Sequence, residues 1–338
     1  MKVCDGEPGA LGAISEIVKR YRRSGKVAFP LALLALAAPS SFSQRVQLVP
    51  RLRAGQILFY RIDISSSRKM QTDSRVTAPP FPSSESLNTS ALLQVEVVAT
   101  GASGLHLKTY YSERAPVPAT SNASGAESST SSTPDKVIEL TIGSDGNASQ
   151  IKGFDQLSPW QQFAWNDWLG RFTSPMTYPH GGIHPGQKWE TSEPETAASP
   201  IAGLGWTKRS EYVRDESCPV SAVNLPKSSA DNSAATPESC AVILVRATLR
   251  QKSSPKNSTP QDYKLRNLRT YGSAAGQNES ILYISRVSGL LVRSTEDAQQ
   301  SMDAIVGLAD GSNQVHNRLD ATSHSEIELL SDTSQSVR

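Results

Sequence analysis

Apolar and polar residues alternate with a period near two over most of the chain, and in one stretch the period lengthens to that of a helix. Across residues 57–65, Ile57, Phe59 and Arg61 alternate with Leu58, Tyr60 and Ile62, which predicts a strand rich in β-branched and aromatic side chains. A polar tract at 66–90 follows. Residues 92–113 predict two strands around the glycine-bounded turn 101–104, and residues 137–151 a hairpin turning at Ser144-Asp145-Gly146. Beyond residue 183 a similar order recurs. Gly186-Gln187 restarts the pattern as Gly55-Gln56 does, residues 206–216 and 240–251 alternate as strands, and residues 280–298 predict a hairpin turning at Ser288-Gly289. Residues 300–330 read as a hairpin about Asp310-Gly311 with a further strand.

The exception is residues 158–189, which hold four of the five tryptophans. Leu157, Trp160, Ala164, Trp165, Trp168, Leu169 and Phe172 fall at three- and four-residue steps, with Gln161, Gln162, Asn166, Asp167 and Arg171 on the other side. That is a helix with one apolar stripe. Ser158 is placed to cap it, Pro159 sits where a missing N–H costs nothing, and Gln161 can answer back to the Ser158 amide.

These elements predict a mainly β protein: two antiparallel curved β modules, residues 44–153 and 183–338, with a Trp-rich helix and turn at 154–182 between them. The recurrence has two explanations, an internal duplication of residues 50–153 and 183–300, or the general likeness of any two antiparallel β segments. Residues 115–135, rich in Ser, Thr, Ala and Pro, carry too little apolar surface to offset the entropy of ordering and are expected to be mobile. The loop 219–239 is expected to be disordered for the same reason.

Composition adds a destination. Lys19, Arg20, Arg22, Arg23 and Lys26 precede an apolar run at 27–38, and Ser41-Phe42-Ser43 offers the small residues a signal peptidase reads, so residues 1–43 predict a cleaved secretory leader. The run is too short for a membrane span, which needs about 20 residues. The leader carries six Lys and Arg against three Asp and Glu, so it holds +3 of the formal net charge of +2 and leaves −1 for the rest. No basic face remains to suggest nucleic acid. Cys4 belongs to the leader, which leaves Cys218 and Cys240 in a compartment that permits disulfides, and they are expected to pair.

Catalytic signatures are absent: no Gly-x-Ser-x-Gly elbow, His-Glu-x-x-His, phosphate loop or Cys-x-x-Cys occurs, and no cofactor is implied. His180 and His184 flank a glycine turn as weak metal ligands, and a zinc site would need at least one more. Trp160, Trp165, Trp168, Phe172 and Trp189 are the aromatic residues around which a ligand would gather, although the helical spacing of the first four favours a core.

The Gly186-Gln187-Lys188-Trp189 restart and the pair formed by Tyr283-Ile284-Ser285 and the run from Gly289 through Leu290 and Leu291 to Val292 resemble uncharacterised secreted bacterial proteins built from tandem β modules. The resemblance implies export and a curved sheet on a helix, and it carries over no catalytic residue. The function expected is a non-enzymatic periplasmic or extracellular binding module for an apolar ligand such as a lipid, or for an envelope protein partner. The alternatives are a hydrolase using acids such as Glu211, Asp215 or Glu296, and a purely structural envelope protein.

Overall fold

The structure, a computed structural model, describes residues 45–74, 84–102, 104–114, 136–195, 198–219 and 238–334. The leader and its cleavage point, the tract 115–135 and nearly all of the loop 219–239 lie outside the described residues. The alternating segments form strands β1 (Gln56–Ser74), β2 (Ser84–Gly101), β3 (Gly104–Arg114), β4 (Lys136–Ile142) and β5 (Ala148–Lys152). After the helix α1 (Pro159–Thr173) come β6 (Lys188–Pro194), β7 (Leu204–Ser217) and β8 (Ser239–Gln251). A one-turn helix α2 (Gln261–Leu265) precedes β9 (Leu268–Ser285), β10 (Leu291–Leu308) and β11 (Val315–Ser334).

All eleven strands belong to one antiparallel sheet in the order β5-β4-β3-β2-β1-β11-β10-β9-β8-β7-β6. The protein is therefore mainly β, and the two predicted runs of strands are joined edge to edge rather than packed as separate sheets. The chain starts at β1 in the middle and steps outward to β5. It then crosses through α1 to the opposite margin at β6 and steps back until β11 lies beside β1. Read across the sheet, β5 to β1 and β10 to β6 descend in the same sense with β11 between them; an internal duplication is not shown by this order.

Side chains alternate between the two faces of a strand, and here one face carries the core and the helix. Leu58, Tyr60, Ile62 and Ile64 of β1 stand beside Leu93, Val95 and Ala91 of β2, with Ile138 and Leu140 of β4, Ile327 of β11 and Leu282 of β9 on the same inner face. Trp165, Trp168 and Phe172 of α1 complete this core at 0% exposure. Helix α1 begins as its sequence predicts: Ser158 Oγ accepts from Gln161 N at 3.4 Å and Gln161 Oε1 accepts from Ser158 N at 2.8 Å.

Two residues assigned to the polar side of α1 are buried instead. Gln161 accepts from Lys136 Nζ at 2.5 Å and donates to Glu113 at 2.7 Å, and Arg171 reaches across to β10 and β11. The stripe is widened because the sheet offers polar partners to both, and a buried polar group is stable only when bonded.

A second difference concerns the polar tract at 66–90. Its two ends are strand, not loop: β1 continues to Ser74 and β2 begins at Ser84. Backbone pairing accounts for this, since Ser66–Ser74 is hydrogen-bonded along β11 from Ser323 to Val315, and ladder bonds do not depend on side-chain hydrophobicity.

The segment before β1 is strapped down. Val46 pairs with Ile183, Arg51 N donates to Ser288 O at 2.7 Å, and Leu48 is buried. The β9–β10 turn receives this strap so closely that a Cβ on Gly289, at φ +71°, would sit 2.3 Å from Val49 O. Only glycine fits there.

Candidate functional site

The aromatic residues singled out in the sequence separate into three environments. Trp165, Trp168 and Phe172 are sealed in the core. Trp165 Nε1 donates to Thr109 Oγ1 at 3.0 Å, Trp168 stacks on Phe172 with ring centres 5.0 Å apart, and Tyr60 closes the cluster from β1. Trp160 is half-buried, edge-on to the exposed ring of Phe163. Trp189 lies on the marginal strand β6, edge-on to Tyr178, and lines a recess of about 520 Å³ with Arg209, Glu211 and Leu244. The five do not form one surface.

His180 is exposed, and His184 Nδ1 lies 3.0 Å from Pro185 O. Among the described residues no three His, Cys, Asp or Glu side chains are grouped to hold a metal ion. The acids named as hydrolytic are dispersed. Glu211 pairs with Lys188 at 3.2 Å, and Asp215 binds Tyr212 and Arg286. Cys218 and Cys240 are disulfide-bonded, joining the end of β7 to the start of β8. Such bonds persist in oxidising compartments. No helix among the described residues is long and apolar enough to cross a membrane, which leaves crossing by strands unaddressed.

Two polar constellations emerge that sequence reasoning did not assemble. The first is on the inner face, at the C-terminal half of α1. Arg171 Nη2 meets both oxygens of Asp167 at 2.7 and 2.9 Å and also Ser325 Oγ, while Nη1 donates to Ser294 Oγ at 2.9 Å. Glu296 Oε2 lies 3.7 Å from the same guanidinium and accepts from Ser280 at 2.5 Å. Burial pushes the Asp167 carboxyl above its ordinary value; Arg171 pulls it down and Glu296 pushes it up. This is a latch fixing α1 to β10 and β11. Its guanidinium is held between two carboxylates and two hydroxyls, and neither acid lines the large cleft described next.

The second constellation lies on the outer face, opposite α1. A trough of about 920 Å³ crosses six strands: β8, β9, β10, β11, β1 and β2. Register aligns its side chains in two rows. One row is charged: Arg246 Nε bonds Glu279 at 2.6 Å, and His324 Nδ1 lies 2.8 Å from Asp297. The other, one step along each strand on the same face, consists of Thr248, Gln277, Gln299, Thr322, Ser67 and Ser86, each directly opposite the next. All six are exposed. Arg246 also lines the recess at Trp189, so trough and recess adjoin.

Nothing in the linear sequence marks these rows. Ser67 and Ser86 fall in what reads as a loop, and the six members are drawn from residues 67 to 322. A faint signal exists in the alternating Thr/Ser/Gln pattern of the strands, but only register puts these side chains side by side.

No protein-family model and no curated protein matches the chain. Among solved structures, it is similar to a lipovitellin described for its lipid–protein interactions, at 10% identity and TM-score 0.34, over 85% of this chain and 26% of that one. The chain thus spans about a quarter of that neighbour's length. A second similarity is to the outer membrane protein OprG of Pseudomonas aeruginosa, at 9% identity and TM-score 0.15, over 84% of this chain and 98% of the other. Likeness at this level carries no functional argument.

Proposed function

We propose that this chain is an exported, non-enzymatic binding module of the cell envelope or its surroundings, and that the outer trough is its ligand-facing surface. The observation that carries the reading is the division of labour between the two faces. The inner face is covered by indole and phenyl rings at 0% exposure, whereas the outer face keeps an open cleft of about 920 Å³. Export rests on the leader pattern at residues 1–43 and agrees with the disulfide. A binding role rather than catalysis is supported by the make-up of the trough: its lining carries no cysteine and no lysine, and Arg246 is engaged by Glu279.

An apolar ligand or a protein partner is the second reading, and one observation favours it. Val49 and Val287, 50% and 66% exposed, belong to the strap before β1 and to the β9–β10 turn that receives it, next to a recess of about 170 Å³ lined by Leu48, Met176 and Ile183. Descent of the two runs of strands from one duplicated module would suit either reading; the Gly-Gln starts at Gly55-Gln56 and Gly186-Gln187 support it.

Native mass spectrometry of protein purified from the envelope fraction tests the main reading against a variant in which Gln277→Arg and Gln299→Arg obstruct the trough. A non-covalent component on the wild type that the obstructed variant lacks is the expected result. A component retained by the variant, or a bare protein that turns over glycoside or ester substrates, would overturn it.

A further inference from the structure

The uncharged row offers more than a polar surface. Among the described residues, the side chains of Thr248, Gln277, Gln299, Thr322, Ser67 and Ser86 make no hydrogen bond within the protein. Every one is a hydroxyl or carboxamide, able both to donate and to accept. They recur once per strand, about 4.8 Å apart, so the six span about 24 Å transverse to the strands. On the far side the row continues without a break into Thr207 of β7 and Ser192 of β6, opposite Thr248 and Thr207 respectively.

Three features restrict what such a row can hold. The trough contains no Trp, Tyr, Phe or large aliphatic side chain, so an acyl chain gains little apolar burial there. Where the trough crosses them, β8, β9, β10, β11 and β1 are each paired on both edges, and β2 pairs with β3 from Ser90 onward, so a peptide cannot add as a strand within the trough through its backbone and would reach only the margin at Ser86 and Asn88. Arg246 is paired with Glu279, so among the residues lining the trough no unpaired Lys or Arg is left to select an anionic polymer. What remains is a long, uncharged molecule whose own hydroxyls repeat at nearly the interstrand step. An extended pyranose chain has that repeat.

Resting on the reading of the trough as the ligand-facing surface, we propose that it binds a linear, uncharged polysaccharide laid across the strands, with successive sugars meeting successive members of the Thr/Gln/Ser row. Contact is edge-on, through sugar hydroxyls, because the trough offers no Trp, Tyr or Phe ring for stacking. Each bond contributes little alone, and affinity accumulates with the number of strands engaged.

Calorimetric titration of the disulfide-bonded protein with cello-, xylo- and chito-oligosaccharides, each from disaccharide to hexasaccharide, tests this. At least one series should bind progressively more tightly with length, with the hexasaccharide about tenfold or more tighter than the disaccharide. Binding should change little as salt is raised to about 0.5 M, since exposed charge interactions are screened there and hydrogen bonds are not. The double variant Thr248→Val with Thr322→Val removes two hydroxyls while preserving shape and strand preference. It should weaken the hexasaccharide about tenfold without moving the melting temperature. The proposal is overturned if no series binds, if length has no effect, if the double variant binds as the wild type does, or if a hexagalacturonate binds more tightly than the neutral chains. Failure here, with a native component still lost from the arginine-obstructed variant, would reject the polysaccharide and leave the binding module standing. If no component is found either, both fail.

Discussion

Two indoles at neighbouring positions on one helix have different chemical obligations. Trp165 gives its N–H to Thr109, whose hydroxyl in turn donates to Ile138 O at 3.3 Å, whereas Trp168 Nε1 has no partner among the described residues. Both rings are equally buried, so replacing either by phenylalanine removes similar volume. The difference lies in the polar atom: Trp165→Phe breaks a buried bond, and Trp168→Phe removes an N–H that was desolvated without compensation. In urea unfolding followed by circular dichroism, Trp165→Phe should cost about 1–2 kcal/mol more than Trp168→Phe. Equal losses would mean that packing alone sets the value of both rings. The burial of these residues was legible from their three- and four-residue spacing. Arg171 was not, because a guanidinium is placed by default on the wet side of a helix. Its burial depends on Asp167 four residues before it and on Ser294 and Ser325, which only folding brings near.

At the level of elements, the helix and the hairpins follow from local signals. Capping box, N1 proline and apolar stripe place α1 at Pro159–Thr173, and the turns at Gly146, Gly289 and Gly311 fall where glycine was read as a chain reversal, each with positive φ. Strand lengths were less legible. β1, β9, β10 and β11 run to 18–20 residues because polar segments such as Ser66–Ser74 continue a ladder begun by apolar ones. The β7–β8 hairpin has a covalent device as well, the Cys218–Cys240 bond across a separation of 22 residues. By restricting the unfolded chain, closure of such a loop contributes about 3 kcal/mol. Cys218→Ala with Cys240→Ala should therefore lower the unfolding free energy by about that amount. An unchanged urea midpoint would show that the β7–β8 ladder needs no such restraint.

For the molecule as a whole, the decisive contact is the seam between β1 and β11. Gln56 Nε2 donates to Asp332 at 2.8 Å across 276 residues of sequence, and along this seam the sheet becomes continuous. Long-range pairing of this kind must meet loop-closure entropy before any contact rewards it. Refolding from urea should accordingly be slow, milliseconds to seconds or longer, and the fluorescence of the core tryptophans should recover only when the seam closes. Recovery in microseconds would show that the helix and the β1–β5 run assemble without it. Sequence alone determined the β character, the single tryptophan helix, its caps, the turns and the cysteine pair, because each is set by residues within a few positions of one another or by compartment chemistry. Tertiary structure decided the rest: that two runs of strands make one sheet, that Arg171 is buried, and that hydroxyls and amides scattered from Ser67 to Thr322 stand in one row. Register between distant strands fixes those outcomes, and register is a property of pairs of segments that no single segment encodes.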